Sequence, residues 1–278
     1  GVGGVVGLGG GGTISRGVVE SPLGLRAGFG RMSRADLFTI MVLIMATISG
    51  GILVLYATTL AKTVPDAVGH MIVASLISLP AGVLVARLMV PGERSDGPEA
   101  AEPDLRYESS MDAVIRGAME GMTLVLAVVA IIVTVFALVN LVDQALALLP
   151  LVEGAPLTLR RLLGWLLAPA MWAIGVPWDQ APAAASLMGT KAVLNEYVAY
   201  LDLAAMPAGT LDPRSLLIVT YALCGVANLA SVGLIVSTIA TLAPERRGEV
   251  AGLGMKSWLA GNMASLMTGA MIGLVTWG

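Results

Sequence analysis

The 278 residues predict an all-α polytopic membrane protein. Hydrophobic residues make up 56% of the chain and charged residues only 13%, whereas a typical soluble domain is about 25% charged. The mean hydropathy is +0.85. Five stretches of at least 20 residues carry no more than one charged residue each, and each is long enough to cross about 30 Å of hydrocarbon. They cover residues 37–60, 71–90, 122–142, 216–243 and 251–277.

The distribution of Lys and Arg predicts the orientation of these stretches. Residues 25–36, the polar linker 91–110 with its flanks, and the turn 243–256 together hold ten of the 16 Lys and Arg residues. Cytoplasmic loops are enriched in these residues, so we place all three segments in the cytoplasm. The segments 37–62, 67–90 and 111–149 then run outward, inward and outward. The intervening loops hold only Lys62, Arg160, Arg161 and Arg214.

The stretch 157–203 predicts a re-entrant hairpin that enters and leaves from outside. Its apolar pieces, 162–174 and 181–200, are separated by GVPWDQAP, and the first piece is too short to cross a bilayer. The segments 213–241 and 249–277 then run inward and outward. The sequence therefore predicts two units, each a re-entrant hairpin followed by two helices, that form an inverted repeat with a long helix between them.

Six segments follow from this reading. They are a first re-entrant hairpin (1–36), two transmembrane helices of repeat 1 (37–91), a cytoplasmic linker (92–110), the long transmembrane helix (111–150), a second re-entrant hairpin (151–212) and two transmembrane helices of repeat 2 (213–278). The chain opens without an initiator Met, in a Gly- and Val-rich run, and we expect further sequence in front of it.

Composition excludes several classes of function. A net charge of −3 and the lack of a basic patch in the sequence argue against a nucleic-acid partner. His70 and Cys224 are the single His and Cys, so neither a two-histidine zinc motif nor an internal disulfide can form. Because we recognise no nucleophile–base pair, we expect a non-enzymatic protein without a cofactor.

Two carboxylates, Glu20 and Glu196, mark the candidate site. Each lies in a mainly apolar segment that is broken by Gly and Pro. An ionisable residue inside a membrane is costly and indicates a functional site, and interrupted segments in corresponding positions of two halves indicate the binding site of a transporter. For Glu196 the alternative is a structural ion pair with nearby Lys191.

Several motifs in the chain resemble one family, the concentrative nucleoside transporters. The most specific are GVPWDQAPAAASLMGTKAVLNEYVAYLDL, YALCGVANLASVG and LAPERR, within residues 164–247. Weaker matches are ESPL followed by Arg26, and FTIMVLIMATISGG. The resemblance covers essentially the whole chain, and full-length members of the family carry three further helices in front.

The resemblance implies a homotrimeric importer of nucleosides in the bacterial inner membrane, driven by a sodium or proton gradient through alternating access. Helix 111–149 would be the scaffold, and the hairpins and other spans would mostly form a mobile transport domain. A non-transporting membrane regulator or nucleoside sensor on the same fold is the alternative. The positions that match nucleoside-binding residues are Gly17, Val18, Val19, Glu20, Ile52, Glu196, Val226, Asn228 and Ser231, and those that match the sodium site are Thr13, Arg16, Thr47 and Ile48.

The chemistry of the residues agrees with this assignment at the ribose end. A vicinal diol offers two donors and four lone pairs, which suits an acceptor carboxylate combined with an amide and a hydroxyl. Asn228 and Ser231 are three residues apart and would share one helix face with each other. For these two residues the alternative is hydrogen bonding between packed helices.

The residues that match the family's nucleobase and cation positions depart from the family pattern. Val18 and Val19 stand where the family usually has Gln and a hydroxyl residue, and Thr13 replaces an Asn ligand. Arg16 places a positive charge where the family's cation binds. Either the protein uses protons instead of sodium, or residues 9–30 are distorted sequence at the edge of a fragment. The preferred base is not predicted.

Overall fold

A computed structural model describes residues 26–92, 109–152 and 154–276. Apart from one isolated β-bridge between Val152 and Ala155, the regular structure of these residues is helical, which confirms the predicted all-α fold. The predicted first hairpin lies largely outside the described residues. The helices are α1 (Arg26–Phe29), α2 (Arg34–Ala46), α3 (Gly50–Leu60), α4 (Ala67–Met89), α5 (Ser110–Leu146), α6 (Leu159–Ala173), α7 (Ala181–Val193), α8 (Glu196–Ala205), α9 (Pro213–Leu223), α10 (Leu229–Leu242), a 3-10 turn (Pro244–Arg246) and α11 (Arg247–Val275).

Three helical stretches of the described residues are long and apolar enough to cross a membrane. They are Arg34–Leu60, Ala67–Met89 and Pro244–Val275, with 27, 23 and 32 residues. Leu229–Leu242 is apolar but shorter, and Val133–Leu146 is the apolar last part of the longer helix α5. The stretch 216–243, which hydropathy predicts as one span, is divided in the structure between α9 and α10.

Two of the predicted spans are interrupted near their middle. The stretch 37–60 breaks between Ala46 and Gly50, and the stretch 216–243 breaks between Leu223 and Leu229. At the second break Gly225 adopts a φ of +153°, a conformation that a residue with a Cβ rarely takes. Hydropathy did not predict either break, because the interrupting residues are themselves small or apolar.

The two interruptions meet each other in the interior. A Cβ added to Gly225 would lie 2.9 Å from the Ala46 carbonyl oxygen and 2.8 Å from Ser265 Oγ on α11. Asn262, also on α11, donates through Nδ2 to the Ala227 carbonyl oxygen at 3.0 Å. Helix α11 therefore supports the place where the broken segments cross.

A third interruption separates α7 from α8. The sequence suggests one apolar piece over 181–200, but α7 ends at Val193 and α8 begins at Glu196. Asn195 caps α8, since its Oδ1 accepts the Val198 N–H at 2.9 Å. An Asn at this position satisfies one of the free N–H groups of the first turn. This break falls directly before the candidate carboxylate.

The buried core forms two main clusters. One cluster joins α3, α4 and α6–α9, and the other joins α1, α2, α4, α10 and α11. Helix α4 packs on α2, α3, α9 and α11, and α11 packs on α2, α4, α9 and α10. Helix α5 contacts α6 and α10 and exposes many apolar side chains, among them Met119, Leu126 and Val133.

Candidate functional site

The Glu196 carboxylate lies at the centre of the candidate site. It is 6% exposed and is the first residue of α8, where the positive end of the helix dipole favours a negative charge. Its Oε1 accepts a hydrogen bond from Tyr56 Oη at 2.7 Å, and its Oε2 accepts one from Asn228 Nδ2 at 3.2 Å. Helices α3, α8 and α10 therefore meet at this group.

The amide of Asn228 performs two tasks at once. It caps α10, because Oδ1 accepts the Ser231 N–H at 2.8 Å, and its Nδ2 is thereby directed to Glu196. Ser231 follows in the first turn of α10 and is buried, with 8% exposure. The predicted grouping of Glu196, Asn228 and Ser231 is thus present in one place.

Tyr56 is a site residue that the sequence analysis missed. Its ring stacks on Tyr197, with centroids 5.8 Å apart, and contacts Tyr200 at 5.1 Å. The signal was present, since Tyr56 is the one polar aromatic in the apolar run ISGGILVLYATTL. Its partner could not be inferred, because it lies 140 residues away along the chain.

Lys191 interacts electrostatically with Glu196 but makes no direct ion pair with it. Its side chain is fully buried, and Nζ donates to the Ala222 carbonyl oxygen at 3.0 Å. The side-chain donors that the structure describes on the Glu196 oxygens are Tyr56 and Asn228, and both are neutral. A buried carboxylate with neutral donors is suited to binding hydroxyl groups as well as to packing.

The other predicted residues that the structure describes lie in three places. Val226 is buried in the interruption between α9 and α10, and Ile52 on α3 is 40% exposed. Thr47 and Ile48 are buried in the interruption between α2 and α3, where Thr47 Oγ1 donates to the Leu43 carbonyl oxygen at 2.9 Å. The remaining six lie outside the described residues; they are Thr13, Arg16, Gly17, Val18, Val19 and Glu20.

The described part of the chain offers no cluster of three or more His, Cys, Asp or Glu side chains that could hold a metal ion. His70 lies near the beginning of α4, and its Nδ1 is 3.0 Å from Tyr221 Oη. A monovalent cation would instead depend on backbone and hydroxyl oxygens, such as those of the interruption at Thr47.

The arrangement at Glu196 can bind a diol. An ionised carboxylate has about four lone-pair directions, and Tyr56 and Asn228 use two of them. The remaining directions could therefore accept hydroxyl donors without breaking these two bonds. The Ser231 hydroxyl, one turn along α10, adds a group that can donate or accept.

Comparison with known proteins identifies the family. The family model described as "Na+ dependent nucleoside transporter C-terminus" matches residues 70–273. The putative nucleoside permease NupX of Escherichia coli is 34% identical over 272 residues, covering 94% of this chain and 63% of that protein. The nucleoside permease NupC of Helicobacter pylori is 30% identical over 262 residues, covering 92% of this chain and 61% of that protein.

The fold agrees with a solved transporter structure. CNTnw in an inward-facing, substrate-bound state is 35% identical and superposes with a TM-score of 0.80, covering 98% of this chain and 65% of that chain. The present chain spans less than two thirds of the length of each of these relatives. The relatives are permeases and transporters rather than enzymes, as the sequence predicts. This integral membrane protein belongs to the Na+ dependent nucleoside transporter family and matches its C-terminal region.

Proposed function

We propose that the protein imports nucleosides across the membrane by alternating access, driven by a cation gradient. The observation that carries the proposal is the Glu196 carboxylate, buried where the α7–α8 break meets α3 and α10 and held by Tyr56 and Asn228. Irregular backbone at membrane depth is tolerated where it lines a cavity or a protein interior. A polar group at such a break is typical of a transporter's binding site.

The ribose hydroxyls are the part of the substrate that this site would bind. Glu196 supplies spare acceptors, Asn228 an amide and Ser231 a hydroxyl, which together match the donors and acceptors of a vicinal diol. The names of the relatives support this substrate class, since two are nucleoside permeases. The Glu196–Asn228 hydrogen bond also joins α8 to α10, so the same residues stabilise helix packing.

Coupling to a cation is supported by the interrupted helices. Half-helix C-terminal ends and unwound carbonyl oxygens are typical cation ligands in transporters, and Thr47 and Ile48 lie at such an end, after Ala46. Alternating access is supported by the relative CNTnw, which is known in inward-facing and outward-facing states. We further propose an inverted repeat and a homotrimer, with α5 as the scaffold.

Uptake into proteoliposomes tests the proposal directly. The purified protein should accumulate labelled uridine or adenosine when a sodium or a proton gradient is imposed, and the gradient that drives uptake identifies the coupling ion. Liposomes without protein and liposomes with dissipated gradients are the controls. Saturable nucleoside binding without uptake under either gradient would favour the alternative of a nucleoside sensor and would contradict transport.

Competition between nucleoside analogues tests the assignment of the ribose end. Sites that hydrogen-bond a substrate hydroxyl reject analogues that lack it by larger factors than apolar pockets reject isosteres. Dideoxyuridine should therefore compete with labelled uridine at least about tenfold less well than uridine itself. Equal competition by both would place the ribose away from Glu196, even if the protein transports nucleosides.

A further inference from the structure

Lys191 is a fully buried cation that is not one of the residues proposed to bind the substrate. It lies in the last turn of α7, at 0% exposure. Lysine is almost never fully buried unless its ammonium group is paired, and an uncompensated ammonium group in an apolar interior is strongly unfavourable. The partner of Lys191 is therefore informative about its role.

That partner is the C-terminal end of a half-helix. Lys191 Nζ donates to the Ala222 carbonyl oxygen at 3.0 Å, one residue before α9 ends at Leu223. The last carbonyl groups of a helix lack partners inside the helix and carry the negative end of its dipole. Lys191 thus places a positive charge where an interrupted membrane helix would attract a cation.

Neighbouring hydrogen bonds satisfy two other carbonyl groups at this end of α9. Tyr200 Oη donates to the Thr220 carbonyl oxygen at 3.1 Å, and the Cys224 N–H donates to the Tyr221 carbonyl oxygen at 3.1 Å. Together with Ala222, three successive carbonyl groups are satisfied, one of them by the ammonium group. The donors come from α7, from α8 and from the break itself.

At the interruption between α2 and α3, the carbonyl group at the helix end has a different kind of donor. There the Leu43 carbonyl oxygen, in the last turn of α2, accepts from the neutral hydroxyl of Thr47 at 2.9 Å. The two interruptions cross at Gly225 and Ala46. The end of α9 therefore contacts a cationic side chain from α7, whereas the hydroxyl at the end of α2 leaves that end without an added charge.

We propose that Lys191 is a positioning residue for transport, acting as a tethered cation at the C-terminal end of α9. Its ammonium group holds the α9–α10 break, and with it Asn228, against the α7–α8 break that carries Glu196. This inference rests on the proposed function for its transport readout. A lysine that merely fills space would be replaceable by an apolar side chain of similar length.

Two substitutions separate the charge from the packing. Lys191→Met keeps most of the side-chain volume and removes both the charge and the hydrogen bond to the Ala222 carbonyl oxygen. Lys191→Ala removes the three outer methylene groups and the ammonium, which together correspond to n-propylammonium. We expect Lys191→Met to fold but to lower uridine uptake by about 10- to 30-fold, the size of a helix-end charge in a buried setting.

Chemical rescue gives the decisive comparison. Added n-propylammonium should restore at least a third of wild-type uptake to Lys191→Ala, whereas n-propanol, which fills the same space without charge, should not. The wild type and Lys191→Met should show no gain from either compound. Wild-type uptake by Lys191→Met, or equal rescue by n-propanol, would overturn the tethered-cation role.

A thermal unfolding measurement separates this inference from the proposed function. n-Propylammonium should raise the melting temperature of Lys191→Ala but not that of the wild type, and this readout needs no substrate. If the wild type takes up no nucleoside, the proposed function fails while the Lys191 assignment is still tested by the thermal shift. If Lys191→Ala does not fold, the uptake of Lys191→Met decides alone. A folded Lys191→Ala that is not stabilised by n-propylammonium contradicts the assignment.

Discussion

At the scale of single residues, the site depends on a carboxylate that three elements hold together. Tyr56 from α3 and Asn228 from α10 each donate to one oxygen of Glu196 on α8. Asn228 cannot rotate freely, because its other end caps α10. The donors are thus fixed in direction before a substrate arrives, which lowers the conformational cost of binding.

Glu196→Gln should weaken uridine binding by about 10- to 100-fold, because a hydrogen bond to a charged group contributes about 1.5–3 kcal/mol. Glutamine has nearly the same size, but its NH₂ end would face either the Tyr56 hydroxyl or the Asn228 amide donor. Isothermal titration of the purified variant with uridine measures the loss, and its thermal unfolding curve serves as the control for folding. Wild-type affinity in a folded sample would remove Glu196 from the site.

Tyr56→Phe should also weaken uridine binding, by less than Glu196→Gln, since the carboxylate keeps its charge and loses one of its two side-chain donors. The matched control is Tyr200→Phe, which removes a neighbouring phenol that donates to the Thr220 carbonyl oxygen instead. Comparing the two variants in the same titration separates the contact with Glu196 from the general effect of losing a buried hydroxyl. Equal affinity losses in both would assign Tyr56 to packing.

The sequence predicts the candidate site only in part. The motif NEYVAY and the spacing of Asn228 and Ser231 identify three residues that the structure places at one point. The sequence does not reveal the role of Tyr56 or the partner of Lys191. Tyr56 contacts a residue 140 positions away, and Lys191 contacts one 31 positions away. Contacts over such distances depend on the crossing of the helices, which local patterns do not encode.

At the scale of helices, the interruptions are what hydropathy could not predict. Hydropathy predicts where the apolar stretches lie, because length and charge suffice for that, but residues 47–49 and 224–227 are as small or apolar as their neighbours. Two residues signal the second break. Gly225 adopts a backbone conformation that favours glycine, and Asn228 caps the helix that follows. The break before Glu196 contains only Leu194 and Asn195, and its signal is Asn195 alone.

Gly225→Ala should destabilise the protein by about 1–3 kcal/mol, the range for a residue held in an unfavourable backbone conformation. Its Cβ would also meet the Ala46 carbonyl oxygen at 2.9 Å, which is backbone and cannot turn aside. Thermal unfolding in detergent measures the change.

The matched control for this prediction is Gly233→Ala. Gly233 lies in α10 with nothing within 4 Å of an added Cβ, and an Ala there should leave the melting temperature unchanged or slightly higher, because Ala favours a helix over Gly by up to about 1 kcal/mol. Equal melting temperatures for the two variants would mean that the broken segments do not cross at Gly225.

At the scale of the whole molecule, α5 stands apart from the two main cores. It contributes Val139 to a small third cluster with Val193 and Leu194, which lie at the break between α7 and α8. Among the described residues, α5 contributes to neither main core and contacts α6, α10 and this break, and a small interface between two parts permits relative movement. This arrangement supports α5 as the static part and the α7–α8 pair as part of the moving domain.

A cross-link between α5 and the α7–α8 break should therefore stop transport without stopping binding. Val139→Cys combined with Leu194→Cys places two thiols in the third cluster, and oxidation would join them if their Cβ atoms approach to about 4 Å. Uridine uptake should fall to the level of empty liposomes after oxidation and return after reduction, while uridine affinity stays within about threefold of its reduced value, because Glu196, Tyr56 and Asn228 are untouched.

Mass spectrometry of the oxidised sample establishes that the disulfide has formed, and each single variant carried through the same oxidation controls for damage to the buried Cys224. Full uptake by the cross-linked protein would show that α7 and α8 do not move against α5, and the division into scaffold and transport domain would then have to be drawn elsewhere.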